Sequence, residues 1–339
     1  MSLRFATTGI GSLPHGDTRR ACELILESCS VPFWPQFPRL TFEQGMVAQF
    51  TEGFPAIRID TQRERIWVDR QDTESVGRFY ESCTDNASIP ISPQWATGFV
   101  AMEGFLKGRR FPVLKGHVTG PLTFTLGIKD NGGRYIYYDE ELREIALMLL
   151  VAKARWQILS LKRFADRVIV FIDEPILSAL GSSAYLGVSD DDVSSLLRRV
   201  VEGIKGAGAM TAIHCCGKAD WEMVFDTGVD IVNFDAYAYF DTLNLYQERI
   251  ARHITDGGFL AWGIVPTTDN IRQEDSDSIA LKFTERFERL AVDVGTEALA
   301  EHSLLTPSCG AGSLDIEMAE KVFYILKRLR AYLVERFGG

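Results

Sequence analysis

Short apolar segments alternate with longer amphipathic segments along most of the 339-residue chain. Each apolar segment has the length and the nearly continuous hydrophobic character of a β-strand that is buried on both faces of a sheet. The longer segments carry apolar residues at the spacing of a helix that packs one face on a core. An alternation of this kind is typical of a parallel sheet covered by helices, which is an α/β fold.

Seven of the apolar segments are clear candidates for strands. They are FATTGI near residue 5, FPVLKGHV from Phe111, RVIVFI from Arg167, AMTAIH from Ala209, VDIVNF from Val229, GFLAWGIV from Gly258 and HSLLT from His302. The second strand is either SVPFWPQF, in which prolines interrupt the pattern, or FPAIRI, which with RIWVDR could instead form a hairpin. With one of these two segments, the chain has eight strand–helix units.

Eight such units favour a (β/α)8 barrel, or TIM barrel, over an open doubly wound sheet. We therefore predict one barrel domain over residues 1–339, with residues 40–108 as an elaborated insertion after the first strand–helix unit. Two of the helices have clear N-terminal signals, at Ser189 and at Ser313. Four long helices are predicted at DEELREIALMLLVAKARWQILSLKRF, SDDDVSSLLRRVVEGIKGAG, SDSIALKFTERFERLAVDVG and SLDIEMAEKVFYILKRLRAYLVERF.

The composition argues against several classes of function. Lys and Arg number 36 against 46 Asp and Glu, a net charge of −10, whereas a protein that binds nucleic acid or an anionic membrane needs a basic face. No segment approaches the roughly 18 apolar residues of a membrane span, and no glycine-rich phosphate-binding motif follows a strand. Six cysteines in a chain of this length are not a disulfide framework, so we expect a cytoplasmic protein with reduced thiols.

Polar residues follow most of the predicted strands at the point where each strand ends. In barrel enzymes the active site lies on the loops after the carboxyl ends of the strands, so these residues should share one rim. The sequence therefore predicts a single site at this rim. The residues concerned are Gly11 and Ser12, His117 to Gly120, Asp173 and Glu174, His214 to Cys216, Asp235, and Ser308 to Gly310.

His214 and Cys216 form an H-x-C pair at a strand end, where residues two apart point the same way. Cys309 follows the last strand, which would close on the first, and Asp235 follows the neighbouring sixth strand. Two thiolates, an imidazole and a carboxylate are a donor set suited to tetrahedral Zn²⁺. The alternative is that Cys215, Cys216 and Cys309 are small buried apolar residues.

Asp173 and Glu174 follow a strand of aliphatic residues and are candidate catalytic carboxylates. Such a pair could bind a substrate ammonium or transfer protons, and the alternative is a cap on a helix N-terminus. His117 and Thr119 are candidate substrate-binding residues, and their alternative is ordinary turn formation.

Six short segments together carry a resemblance to one enzyme family. The chain resembles the catalytic C-terminal barrel of cobalamin-independent methionine synthase, within the wider superfamily that includes uroporphyrinogen decarboxylase and the corrinoid:coenzyme M methyltransferases. The segments lie in the family's order between residues 7 and 314: TTGIGSLPHG, KGHVTGPLTF, VFIDEP, IHCC, VNFDAY and TPSCGAGSL.

The resemblance implies a catalytic zinc that activates a thiol substrate for methylation. It implies that His214, Cys216 and Cys309 are zinc ligands. It places Asp235 at the fourth ligand, where the family has a glutamate that is one methylene longer.

The same resemblance implies a site for an amino-acid substrate. Ile10, Gly11 and Ser12 match the segment that binds the substrate's carboxylate, and Asp173 matches a carboxylate that holds its ammonium. The family's second substrate-binding glutamate falls on Ala48 in this alignment. The predicted reaction is the methylation of a small thiol, with homocysteine favoured as acceptor and methionine as product.

Two further departures bear on the methyl donor. The family's catalytic histidine falls on Val265, which cannot move a proton, and the resemblance covers the catalytic barrel without the second, N-terminal barrel that helps to hold the folate. Departure of a folate amine requires a proton, whereas a methyl–cobalt bond releases a stable reduced corrinoid. We therefore expect a methylcorrinoid (methylcobalamin) as donor, free or on a corrinoid protein partner. The alternative is a folate donor with Asp269 or Glu174 as the acid.

Other functions remain as alternatives at this stage. A thiol without an amino group, such as coenzyme M, would suit a site that lacks the glutamate at Ala48. A decarboxylase of the uroporphyrinogen type would share the fold but would leave the histidine and cysteines unexplained. A non-catalytic protein that binds a thiol or a corrinoid would be consistent with Val265.

Overall fold

The computed structural model describes residues 3–84 and 86–338. Seven parallel strands form a curled sheet in the order β1-β10-β9-β8-β7-β6-β4, and three strands form a small sheet in the order β2-β3-β5. The strands are β1 (Ala6–Thr7), β2 (Ile57–Asp60), β3 (Arg65–Val68), β4 (Phe111–Thr119), β5 (Lys129–Asp130), β6 (Ala165–Asp173), β7 (Met210–Cys215), β8 (Ile231–Phe234), β9 (Phe259–Val265) and β10 (Ser303–Pro307).

Helices cover the outer face of the large sheet, as the alternating sequence pattern predicts. The α-helices are α1 (Thr18–Ser28), α2 (Thr73–Ser82), α3 (Thr97–Leu106), α4 (Pro121–Gly127), α5 (Glu140–Leu161), α6 (Asp190–Gly206), α7 (Trp221–Asp226), α8 (Phe240–Leu243), α9 (Gln247–Thr255), α10 (Ser276–Val294), α11 (Thr296–Glu301) and α12 (Ile316–Phe337). The four predicted long helices are confirmed as α5, α6, α10 and α12.

The two predicted N-terminal signals have different outcomes. Ser189 is the N-cap of α6, and its side chain accepts a hydrogen bond from Asp192 N. The N-cap of α12 is Asp315 rather than Ser313, because the Asp315 side chain accepts from Met318 N at 2.8 Å. Within the described residues, none of the helices combines the length and the apolar character needed to cross a bilayer.

The predicted closed (β/α)8 barrel is corrected by the structure to a curled sheet of seven regular strands. The place of the second strand, between β1 and β4, is taken by the irregular segment 31–37. Val31 N donates to Thr7 O at 2.9 Å on one side, and Lys115 N donates to Pro32 O at 2.9 Å on the other. Pro32 and Pro35 have no N–H to give to a ladder, so only isolated bridges form.

The other candidate for the second strand is a hairpin. Residues 57–60 pair antiparallel with residues 65–68 as β2 and β3, and β5 adds a third strand. This hairpin, α2 and α3 all lie within the predicted insertion, residues 40–108. Phe50, Phe79 and Phe99 of the insertion belong to the same apolar cluster as the helices around the sheet.

Side chains alternate between the two faces of each parallel strand. A small apolar cluster that includes Val113, Phe171, Ala212 and Ala261 fills the inside of the curl, and Val31 of the irregular segment belongs to it. Residues of the same parity further along the strands point to the same side. The polar residues at the carboxyl ends of β4, β6, β7 and β8 are therefore directed to the inner side of the curled sheet.

Candidate active site

A cavity of about 250 Å³ opens at the carboxyl ends of the parallel strands, where the sequence predicts the site. The loops after β1, β6, β7 and β10 contribute to its wall, together with residues 36–46. Seven of the predicted site residues line this cavity: Ile10, Ser12, Asp173, His214, Cys216, Cys309 and Gly310.

Three of these residues form a compact group of metal-ligating atoms. One ligand atom from each of His214, Cys216 and Cys309 lies within 4.8 Å of the other two. His214 lies in β7 and Cys216 directly follows the strand, and their ligand atoms meet on the same side, as the H-x-C spacing predicts. Cys309 reaches them from the loop after β10, 93 residues further along the chain (309 − 216).

Asn233 on β8 fixes which nitrogen of His214 faces the cavity. The Asn233 amide nitrogen lies 2.8 Å from the Ala261 carbonyl oxygen, which can only accept, so the Asn233 oxygen must face His214. His214 Nδ1 therefore carries the proton and donates to Asn233 Oδ1 at 2.6 Å. His214 Nε2 is buried and has no hydrogen-bond partner, so its lone pair is available to a metal ion.

The cluster favours a thiolate at Cys216. The pKa of Cys216 is lowered, because the Cys309 thiol donates a hydrogen bond to its sulfur and because the His214 ring lies beside it. The pKa of Cys309 is raised correspondingly, because its proton is shared with Cys216 and its surroundings are buried. Burial lowers the pKa of His214, but the negative charges of Asp173 and Cys216 outweigh burial and raise it.

Asp235, the predicted fourth metal ligand, is not part of this compact group. Its carboxylate accepts a hydrogen bond from Ala238 N at 2.8 Å, and so it stabilises the turn after β8. Burial raises the pKa of Asp235 to about 6, although hydrogen bonds from the Ala238 and Tyr237 backbone oppose this effect. Direct coordination by Asp235 stays a prediction.

Asp173 ends β6 and lines the cavity with a carboxylate that is not fully satisfied. Its Oδ1 is buried and has no hydrogen-bond partner within the described residues. Burial raises the pKa of Asp173 to about 6, while the ammonium of Lys115 acts in the opposite direction. Lys115 Nζ itself donates to the carbonyl oxygen of Ile10 and so holds the loop after β1.

Glu174 has a structural role in this structure. Its carboxylate accepts hydrogen bonds from Leu122 N, Thr123 N and Thr123 Oγ1 at 2.7–3.0 Å, and so it caps the N-terminus of α4. The alternative of a helix cap is therefore observed, but on the helix after β4 rather than on the segment that follows Glu174. Gly120 is needed for this contact, since a Cβ there would lie 2.1 Å from the Glu174 carboxyl carbon.

His117 and Thr119 support the cavity from behind. The His117 ring stacks on Trp34 with 4.0 Å between centroids, and both of its nitrogens are buried without a partner. Thr119 Oγ1 donates to the carbonyl oxygen of Met46, which lines the cavity. Their direct contact with a substrate stays a prediction.

The structure adds two cavity residues that the sequence analysis missed. Gln36 and Gln44 both line the cavity, whereas Ala48, which was aligned with the family's second glutamate, is buried and is not part of the lining. The only available signal for Gln36 was its position at the end of SVPFWPQF, the less regular candidate for the second strand. No pattern in the sequence distinguishes Gln44 from other glutamines.

Three positions bear on proton transfer to a leaving amine: Val265, Asp269 and Glu174. Val265 ends β9 and is fully buried, and its carbonyl oxygen accepts from Ser308 N at 2.8 Å. Asp269 begins a short 3₁₀ helix, and its exposed side chain lies 3.6 Å from Arg272. Burial raises the pKa of Glu174 to about 7, but its carboxylate is occupied by the cap described above.

Comparison with known proteins identifies a shared fold. No protein-family model and no curated protein matches the chain. A solved structure of a B12-independent methionine synthase from Shewanella sp. W3-18-1, in complex with selenomethionine, aligns over 99% of both chains with a TM-score of 0.61 and 18% sequence identity. This similarity supports a methionine-synthase-like fold. A candidate fructose-1,6-biphosphate aldolase from Coccidioides immitis aligns over 86% of this chain and 93% of its own, at 12% identity and a TM-score of 0.32, which is too low to carry an argument.

Proposed function

We propose that this protein is a zinc-dependent methyltransferase that methylates a small thiol, with homocysteine as acceptor and methionine as product. The observation that carries the proposal is the group of His214, Cys216 and Cys309, whose ligand atoms lie within 4.8 Å of one another at a cavity. The fold shared with a B12-independent methionine synthase supports the same assignment.

The residues of the group are suited to zinc. Two thiols and an imidazole are preferred zinc donors, and His214 Nε2 is buried, unpartnered and held in the correct tautomer. A set of three protein ligands leaves a position for a substrate, and Asp235 is the candidate for an additional ligand. When bound, zinc would stabilise the thiolate form of the substrate at neutral pH, where a free thiol with a pKa of about 8.5 is mostly protonated.

The cavity offers groups for the rest of a small amino acid. Its volume of about 250 Å³ lies below the roughly 300–1,000 Å³ of sites for drug-sized ligands, which favours a small acceptor. We assign Asp173 to the substrate ammonium, because its Oδ1 is buried without a partner. Ile10, Gly11 and Ser12 are assigned to the carboxylate, and Lys115 holds this loop through the Ile10 carbonyl.

The methyl donor is a separate part of the proposal. The neighbour is named as B12-independent, so it gives no support to a methylcorrinoid donor or a corrinoid protein partner. Val265 has no proton to give to a leaving amine, and the Glu174 carboxylate is engaged in the cap of α4, whereas a methylcorrinoid would need no proton. The two candidate donors, methylcobalamin and methyltetrahydrofolate, are therefore compared directly in the turnover experiment below.

The test begins with metal analysis of the purified protein after reconstitution with zinc. We expect about one zinc per chain in the wild type and a marked loss in Cys216→Ser, with Cys83→Ser, a buried cysteine outside the cavity, as matched control. X-ray absorption at the zinc edge should gain a sulfur ligand when homocysteine is added. An unchanged zinc shell with homocysteine would overturn the proposal.

Turnover is then measured with homocysteine and each donor in parallel. Methionine formed from either donor supports the proposed reaction, and the productive donor identifies the methyl source. Methionine from methyltetrahydrofolate alone would reject the corrinoid expectation. No methionine from either donor, with zinc and homocysteine bound, would reject catalysis in favour of a thiol-binding protein.

A further inference from the structure

Gln36 is attached to the loop after β1 through its backbone. Gln36 N donates to Gly11 O at 3.0 Å, and Leu13 N donates to Gln36 O at 2.9 Å. The residue is 4% exposed, and what remains exposed contributes to the cavity wall. Its side chain therefore starts from a fixed point at the rim, although the segment 31–37 is not a regular strand.

A second glutamine determines the direction of the Gln36 amide. Gln49 is fully buried, and its Nε2 donates to the carbonyl oxygen of Trp95 at 2.6 Å. Because a carbonyl oxygen can only accept, the Gln49 amide has one allowed orientation, with Oε1 on the opposite side. Gln36 Nε2 donates to this oxygen at 2.8 Å, so Gln36 Oε1 must face away from Gln49.

The Gln36 oxygen is left as an open hydrogen-bond acceptor. It accepts no hydrogen bond from the described residues, and it lies so close to Gly11 that a Cβ there would be 2.8 Å away. Asp173 Oδ1, in the wall of the same cavity, is also an acceptor without a partner. Two unpartnered acceptors in a largely buried cavity are complemented by a ligand group that carries several N–H donors.

We propose that Gln36 selects the amino group of the acceptor, and that Gln49 is a positioning residue which keeps the Gln36 oxygen directed at that group. This inference rests on the proposed function and specifies its substrate class, an α-amino thiol. It also gives the insertion a role, because Gln49 and Trp95 both lie within residues 40–108. The Gln36 amide oxygen is uncharged. Among the described residues that line the cavity, Asp173 is therefore the carboxylate that can balance the charge of the ammonium.

The test measures binding of the reaction product, which requires no methyl donor. Zinc-loaded protein is titrated calorimetrically with methionine and with 4-(methylthio)butanoate, which is methionine without its amino group. We expect the wild type to prefer methionine. Gln36→Met should lower the affinity for methionine about tenfold, or about 1.4 kcal/mol, with no change for 4-(methylthio)butanoate.

Two further variants separate positioning from general damage. Gln49→Met leaves Gln36 intact but allows its amide to turn over, so we expect a smaller loss of the preference for methionine. Gln71→Met, an exposed glutamine in the same insertion, is the matched control and should retain the full preference. Zinc content and melting temperature are recorded for each variant, so that unfolding is not read as loss of selectivity.

The outcomes distinguish this inference from the proposed function. A wild-type protein that binds both compounds equally, or a Gln36→Met variant that keeps the preference, would overturn the inference and leave thiol methylation intact. A Gln49→Met variant that is folded and keeps the full preference would overturn the positioning role. If homocysteine does not bind to the zinc-loaded wild type, the proposed function fails and the inference fails with it.

Discussion

At the scale of single residues, Asn233 determines whether His214 can act as a ligand. Its amide also donates to Thr306 Oγ1 at 2.9 Å, so three elements, β8, β9 and β10, hold it in place. Outer-shell partners of this kind raise metal affinity by orienting the ring and fixing its tautomer. The ligand group thus depends on a residue that does not itself touch the metal position.

Replacement of Asn233 should therefore weaken zinc binding without removal of a ligand. We expect Asn233→Ala to lower the zinc affinity by about 10- to 100-fold, measured by competition with a chromophoric chelator. Asn270→Ala, which changes an exposed asparagine, is the matched control and should leave the affinity unchanged. Wild-type zinc affinity in a folded Asn233→Ala protein would show that Asn233 does not orient His214.

At the scale of secondary-structure elements, α3 packs unusually closely on the irregular segment 31–37. A Cβ at Gly98, in the first turn of α3, would lie 1.8 Å from the Pro35 carbonyl oxygen. Trp34 and Phe99 pack edge to face beside this contact, with ring centroids 5.7 Å apart. Because Gly98 has no side chain, α3 can pack directly against the segment that carries Gln36 and hold it in place.

The two glycines of α3 should respond oppositely to alanine. Gly98→Ala must displace backbone, so we expect a loss of at least about 2 kcal/mol in the free energy of unfolding. Gly104→Ala, with no atom within 4 Å of the new Cβ, should gain about 0.5–1 kcal/mol from helix propensity. Chemical denaturation measures both values, and equal effects at the two positions would contradict the close packing.

Helix α5 contains a fully buried lysine whose charge is unfavourable. Burial lowers the pKa of Lys153 to about 8, although the negative charge of Glu52 opposes this effect. Its Nζ lies 3.4 Å from the Pro90 carbonyl oxygen, a long hydrogen bond to the segment 40–108. Between about pH 8 and 10.5 the unfolded chain binds more protons at this residue than the folded protein, so stability should rise with pH in this window.

Removal of this lysine should stabilise the protein at neutral pH. The shift corresponds to about 3 kcal/mol of penalty below pH 8, so Lys153→Met should raise the free energy of unfolding by about 1–3 kcal/mol at pH 7. The variant should also lose the part of the rise above pH 8 that Lys153 causes. Denaturation curves are measured at pH 7 and above pH 8, with Lys327→Met, an exposed position on α12, as the control. Identical behaviour of the two variants would reject the assignment.

At the scale of the whole molecule, the metal group connects distant parts of the sheet. His214 and Cys216 come from the end of β7, Cys309 follows β10, and β8 and β9 lie between these strands. The curl of the folded sheet brings these three ligand residues together, although two strands lie between the strands that carry them. Zinc should therefore bind the folded state far better than the unfolded chain and stabilise it by mass action.

Removal of zinc should lower the melting temperature. Zinc at about 100 times its dissociation constant adds about 2.7 kcal/mol, which corresponds to a rise of about 4 °C for a chain of this size. We expect differential scanning calorimetry to show this rise in the wild type and not in Cys309→Ser. Cys22→Ser, which changes a buried cysteine of α1, should lower stability but keep the zinc-dependent rise, and its loss there would indicate an unspecific effect.

The fold was predictable to the extent that local patterns specify strands and helices. The continuous apolar runs at residues 167–172 and 259–265 indicated buried parallel strands, and the structure confirms β6 and β9 there. The segment 31–37 could not be assigned in this way, because its prolines remove the strand pattern while its neighbours β1 and β4 still hold it in the second position. Pairing with distant strands, rather than local preference, decided its place.

The candidate site was predictable only in part, for a related reason. The H-x-C spacing indicated that His214 and Cys216 face the same side, since this depends on the geometry of one strand. The cap that Glu174 provides for α4 and the orientation of Gln36 by Gln49 depend on contacts between distant segments. The alignment puts Ala48 where the family has its second substrate-binding glutamate, but Ala48 is not part of the cavity lining, whereas Gln36 and Gln44 are.

By itself, the sequence determined the α/β class, the parallel strands and the end of the sheet at which polar side chains collect. These follow from the periods of strand and helix and from the rule that parallel strands end at one edge. The tertiary structure alone decided the incomplete closure of the barrel, the tautomer of His214 and the direction of the Gln36 amide. Each of these results from hydrogen bonds between residues far apart in the chain, and no local pattern encodes such bonds.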